Sequence, residues 1–150
     1  MKITTKLFGE IEAAEEKIIF FPGGIIGFPN LQRFMLIHDA ENEANNISWL
    51  QSIDEAAFAM PVINPLLLIG DYDPMVEEEM LDVLEGLKPE DMLVVVTITV
   101  PSDLAKMTAN LKAPIIVNAG NNKACQLIIE DERYEVKHPV YHLLKEKKGD

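Results

Sequence analysis

Three histidines, one cysteine and 25 carboxylates are what this 150-residue chain offers for chemistry. His138 and His142 are four apart, the spacing that sets two imidazoles on one helix face for a metal ion, but Pro139 between them argues against that helix. His38 closes an apolar, strand-like run and has no partner nearby in sequence. Cys125 alternates with Leu127 and Ile129, which puts it on the inward side of a strand as a small inert apolar group rather than a nucleophile. As the single cysteine it can form neither an intramolecular disulfide nor a cysteine-based zinc site. Pro22-Gly23-Gly24 and Gly27-Phe28-Pro29-Asn30 bracket Ile25-Ile26 with glycine enough to cradle a phosphate. No Lys-Ser/Thr pair follows, however, and no strand-to-helix pattern surrounds the loop, so the reading is a shaped turn with backbone angles most residues avoid. Basic residues interleaved with aromatics, as nucleic-acid binding requires, are sparse. This inventory implies no cofactor, no metal and no direct nucleic-acid partner, and it favours an interaction module over an enzyme. An enzyme would have to assemble its pocket from distant carboxylates and histidines.

Recognition chemistry is better represented. In Met107–Asn118 the apolar Met107, Ala109 and Leu111 alternate with Thr108, Asn110 and Lys112, and a β-branched run follows Pro114. That is strand patterning. It turns a polar row to one side, and Thr108, Asn110, Lys112 and Asn118 are the candidate partner-binding residues. The two asparagines have two readings: buried, each must hydrogen-bond to backbone; exposed, each is a free donor and acceptor. Pro114 can shift the register between them. Trp49 fits either a core or an interface anchor.

The elements that must position these residues are mostly short strands. Lys2–Phe8, Glu10–Ala13, Ile18–Phe21, Phe34–His38, Ile47–Ser52, Ala57–Ile63, Met92–Val100, the segment around Ile115 and Ala124–Ile129 all carry strand patterning. Pro61 cannot donate a ladder hydrogen bond, which predicts an edge or a bulge there. Asp39–Asn46 is a polar connection rich in turn formers, Leu66–Ile69 an apolar run closed by Gly70, and Pro101-Ser102-Asp103 a break that caps one helical turn through Lys106. Asn118–Lys123 is a hairpin turn. Between Asp71 and Asp91, Val76, Met80, Val83, Leu84 and Leu87 recur at helical spacing and Gly86 supplies a stop, so one amphipathic helix is expected there. Its carboxylates form a solvated face or dock a basic partner. The tail from Glu130 is polar, holds Tyr134 and Tyr141, and is expected to fray at its end. About nine short strands with one short amphipathic helix predict a mainly β fold, a small antiparallel barrel-like or sandwich domain. No segment repeats another.

Length fits one domain over residues 1–150, since splitting it would leave two poorly buried halves. The formal net charge of -12 repels phosphate backbones and anionic membranes and favours a basic partner. No apolar run of signal-peptide or membrane-spanning length occurs, so a soluble, cytoplasmic protein is expected.

Beyond the Met107–Asn118 signature, Thr5-Lys6-Leu7-Phe8-Gly9-Glu10-Ile11, Phe21–Phe28, Trp49-Leu50-Gln51-Ser52, Val62-Ile63-Asn64-Pro65 and Asp71-Tyr72 occur in an order that resembles the FliW family of flagellar assembly factors along nearly the whole chain. Three departures stand out. Ile26 takes a place where the family often has proline, Gly120-Asn121-Asn122 replaces a commonly more basic turn, and Pro61 interrupts a strand usually free of it. The resemblance implies a cytoplasmic, non-enzymatic regulator with a small β-barrel-like fold. It also implies two partners, the RNA-binding translational repressor CsrA, which FliW-like proteins antagonise to relieve repression of flagellin synthesis, and flagellin, which competes for them. An acidic adaptor or assembly chaperone with another protein partner is the alternative that composition alone leaves open.

Overall fold

The computed structural model describes residues 2–38, 47–74, 76 and 78–140. The expected connection at Asp39–Asn46 and the end of the tail, with Tyr141 and His142, lie outside the described residues. Strands form where the sequence alternates or runs apolar: β1 Lys2–Thr5, β2 Gly9–Glu12, β3 Ile18–Phe20, β4 Arg33–His38, β5 Ile47–Ser52, β6 Ala59–Ile63, β7 Met92–Thr99, β8 Thr108–Ala109, β9 Ile115–Asn118, β10 Lys123–Gln126 and β11 His138–Pro139. β1 and β2 form a hairpin of their own, and the other nine make one sheet in the order β11-β8-β7-β6-β5-β4-β3-β10-β9. β9 also pairs with β7, so β7-β6-β5-β4-β3-β10-β9 close into a ring, while β8 and β11 extend the sheet beyond it. The fold is therefore a mainly β barrel.

Every named pairing is antiparallel except the one between β3 and β10. The exception is geometric. Seven strands cannot alternate in direction all the way round a closed ring, so one neighbouring pair has to run parallel. That seam is held by a single register pair, Lys123 with Phe20, and by Phe20 N–H donating to Asn122 C=O at 2.8 Å.

Side chains of alternate parity fill the inside of the ring: Ile19 and Phe21, Phe34, Leu50, Val62, Val95, Ile115 with Val117, and Ala124. Phe21, Phe34 and Phe58 step through the interior edge to face. The outward parity is covered in three places. The β1–β2 hairpin lies over Met35 and Ile37, and its turn carries Phe8 to an edge contact with the half-buried Trp49. Val76, Leu81, Leu84 and Leu87 cover Ile116, Cys125 and Leu127. Leu68, Tyr72, Tyr134 and Val140 cover Ile63, Val96 and Ile98. Gln51, fully buried at the β5–β6 turn, donates to the carbonyls of Ser52, Ala56 and Phe58 at 3.0–3.1 Å.

The helix between Asp71 and Asp91 is a 3-10 helix at Glu78–Leu84 and not an α-helix. The residues it presses on the barrel, Leu81 and Leu84, are three apart, the period of a 3-10 turn, and Val83 is left exposed. Glu85 and Gly86 end it with successive positive φ angles of 50° and 79°. The apolar run after Asn64 is likewise a 3-10 turn, Pro65–Leu67, whose cap is Asn64 Oδ1 accepting from Leu66 N–H at 2.9 Å. Among the described residues no helix is long and apolar enough to cross a membrane.

Candidate functional site: a groove beside the split of two strands

β8 and β9 read as one strand opposite β7, interrupted by an excursion at Asn110–Pro114. Ile98 pairs with Ala109 and Val95 with Ile115, so three steps on β7 face six on the other side. The four carbonyls from Leu111 to Pro114 each find a donor nearby. Leu111 C=O takes the Tyr72 hydroxyl at 2.7 Å. Lys112 C=O takes Ile129 N–H at 2.9 Å, and Pro114 C=O takes Leu127 N–H at 3.0 Å. Ala113 C=O takes Gln126 Nε2 at 3.2 Å. Asn110 holds the turn from within, accepting Lys112 N–H on Oδ1 at 3.1 Å while its own N–H donates to Thr97 C=O at 2.9 Å. The alternation read from sequence holds: Met107, Ala109 and Leu111 are buried, and Thr108, Asn110 and Lys112 are half-buried on the other face.

A groove of about 470 Å³ opens on that face, with Asn110, Lys112 and Ala113 along one side. Thr108 is set back from it, opposite Thr99, which does line it. The facing side is the glycine loop, where Gly24 and Gly27 adopt φ of +69° and +87°; a Cβ on Gly24 would stand 2.5 Å from the Pro29 carbonyl oxygen, so only glycine fits. That loop brings Ile26 and Phe28 to the groove, with Phe28 packed on Phe58 at 4.8 Å between ring centroids. Gln126 joins the two sides, its Oε1 accepting Ile26 N–H at 2.9 Å while its Nε2 reaches Ala113.

The back of the groove exists because β6 and β7 part company. They pair only at Val62–Thr97 and Ile63–Val96. The next pair in that register would be Pro61 with Ile98, and Pro61 has no N–H with which to continue the ladder. The proline thus sits in a strand that is central at one end and open at the other, which resolves the choice between edge and bulge in favour of an edge.

Asn118 belongs elsewhere. It is 3% exposed, donates Nδ2 to Leu84 C=O at 2.9 Å and accepts Gly120 N–H on Oδ1 at 2.9 Å. Asn121 Nδ2 reaches the same Leu84 carbonyl at 2.9 Å, so two amides hold the end of the 3-10 helix against the barrel. Of the four residues proposed for partner contact, two line the groove, Thr108 adjoins it, and Asn118 is structural, because the excursion before Pro114 breaks the common parity. Sequence reading missed the facing side of the groove and the residues Gln126, Ile128 and Val136, yet part of the signal was present. Gln126 and Ile128 have the parity opposite to the buried Leu127 and Ile129.

Other candidate chemistry takes structural form. Burial among apolar neighbours pushes the Cys125 thiol up to about 11, which leaves it protonated and unreactive at neutral pH. His138 sits in β11 beside Ala109, and His38 Nδ1 meets Ser48 Oγ at 2.7 Å. The acidic face is real: Asp71, Asp73, Glu79, Asp82, Glu85 and Glu90 are all exposed. Asp73 is also drawn into a second structure the sequence did not announce. Its N–H donates to Tyr134 Oη at 2.8 Å, and Tyr134 packs on Tyr72 at 4.6 Å.

The family model described as "FliW protein" matches residues 2–140. A relative in Lachnoclostridium phytofermentans described as "Flagellar assembly factor FliW" is 50% identical over 142 residues, covering 94% of this chain and 91% of that protein. One of the same description in Lachnospira eligens is 47% identical over 151 residues, covering 99% and 100%. A structure described as "Crystal structure of the flagellar assembly factor FliW" superposes with a TM-score of 0.84 at 31% identity, covering 93% of this chain and 96% of the other. With the whole barrel matched in sequence and in shape, the chain belongs to the FliW family of flagellar assembly factors.

Proposed function

We propose that this flagellar assembly factor acts by partner switching. It binds the translational regulator CsrA and so relieves repression of flagellin synthesis, and it binds flagellin as the competing partner. It acts in the cytoplasm, through protein contacts and without catalysis. Membership of the family along residues 2–140 carries this reading. Two features of the chain support it. A net charge of -12, with exposed carboxylates grouped between Asp71 and Glu90, favours encounter with a basic RNA-binding protein. The groove beside Asn110 and Lys112 offers exposed apolar surface of the kind that protein partners cover.

Purified CsrA and flagellin offered separately and together to the immobilised protein test the proposal. Retention of each alone, and displacement of CsrA by excess flagellin, are expected. Retention of neither would overturn it. Reversing Asp71 and Asp82 to lysine is expected to slow CsrA association and weaken its salt dependence, since exposed charges act mainly on the encounter.

A further inference from the structure

We propose that the groove between β6 and β7 takes an extended apolar peptide segment bearing an acidic side chain, added as a strand along the open edge of β6. Three observations converge on it. The first is the state of the backbone. Ser52 N–H donates to Phe58 C=O at 3.0 Å, and because bonded and non-bonded pairs alternate along an antiparallel ladder, Gln51–Ala59 and Trp49–Pro61 are non-bonded pairs. The polar backbone groups of Ala59 and Pro61 therefore turn away from β5 and into the groove, where β7 has already ceased to pair. An edge left open in this way is a template for a further strand. A helical occupant would leave those groups unmatched.

The second observation is the surface around the edge. Ile26, Phe28, Ile128 and Val136 line the groove with exposures of 45%, 48%, 62% and 54%. They offer apolar contact to the side chains that alternate along an incoming strand. The third is charge. In a chain with 25 acidic and 13 basic residues, no carboxylate lines this groove among the described residues, and its one charged residue is Lys112, which forms no ion pair with any of them. An acidic side chain on the occupant complements it, with the amides of Asn110 and Gln126 alongside.

The inference rests on reading the Asn110–Lys112 face as a partner surface, but not on which partner uses it. Blocked octapeptides of alternating threonine and valine are the probes, one with a central glutamate, one with lysine there, and one with glutamate and alternate N-methylated peptide bonds. Titrated into isotope-labelled protein, the glutamate peptide is expected to shift the amides of Ala59, Ile98 and Lys112 and to bind roughly tenfold more tightly than the lysine peptide. N-methylation is expected to abolish binding, and Lys112→Glu to reverse the charge preference at unchanged Tm. Equal affinity for the two charges, undiminished binding of the N-methylated peptide, shifts confined to another surface, or no binding of the glutamate peptide would each overturn the inference. Because wild-type protein alone decides all four of these outcomes, a poorly folding variant does not blunt the test. Peptide binding that persists when CsrA and flagellin are not retained would sink the partner assignment and leave the groove's chemistry standing.

Discussion

At the scale of single residues, the two asparagines of the signature have opposite duties, and this is open to measurement. Asn118→Ala removes a donor from the Leu84 carbonyl and an acceptor from Gly120 N–H, and is expected to lower stability by about 1–3 kcal/mol in urea unfolding while leaving partner affinity unchanged. Unchanged stability would mean the two bonds are replaced by water. Asp54 supplies a pH-dependent counterpart. Burial alone would raise its carboxyl, but the N–H groups of Gln32 and Arg33 and the Arg33 guanidinium at 2.9 Å outweigh that and hold it below the usual carboxylate range. A folded-state pKa below the unfolded one adds stability that is present above the unfolded value and lost as pH falls through the folded one. Asp54→Asn is therefore expected to cost about 1–2 kcal/mol at neutral pH, with the difference from wild type closing below about pH 4. A constant difference across the acid range would contradict the assignment. Neither role was legible in the sequence, where Asn110 and Asn118 share a parity and only the excursion between them separates surface from core.

Single elements were legible wherever one face met a core and the other met solvent or a different core. β5, β6, β7 and β10 all fall on runs whose alternation marks them, and the hairpins follow from their turns. The 3-10 helix was placed correctly along the chain, but its period was not. Leu81 and Leu84 fit three residues per turn, whereas the spacing of Val76, Met80 and Val83 suggests a wider stripe. Tyr72 and Tyr134 carry no local signal at all, because a contact between residues so far apart in sequence leaves no periodicity behind. The groove was half legible for the same reason: its Asn110–Lys112 side is one stretch of chain, while its other side depends on how the glycine loop folds over. Gln126 is the test of that join. Gln126→Ala breaks the link between Ile26 and Ala113 and is expected to lower groove-peptide affinity several-fold while costing only about 1 kcal/mol of stability, as for one exposed and one partly buried hydrogen bond. Hydrogen exchange at Ile26 should rise at the same time; if it stays at the wild-type rate, the loop does not depend on Gln126.

For the whole molecule, strength is distributed unevenly around the ring. β4, β5 and β6 are joined by five register pairs at each step, whereas β3 meets β10 at one. Amide exchange at Phe20 is expected to outpace that at Leu50 and Phe34 in native-state hydrogen exchange, since the seam should open before the meander does. Asn122 concentrates the seam's stability. Its backbone accepts from Phe20, its side chain donates to Glu16 C=O at 2.7 Å, and its φ of 58° is one that asparagine tolerates and alanine does not. Asn122→Ala is expected to cost about 1–3 kcal/mol and Asn122→Gly less, because glycine keeps the backbone at no strain. Equal costs would shift the weight from conformation to the side-chain bond. The odd number of strands has a mechanical corollary as well. A ring of seven always keeps a parallel pair somewhere, so the seam between β3 and β10 could be strengthened but not converted into an antiparallel joint without adding or removing a strand.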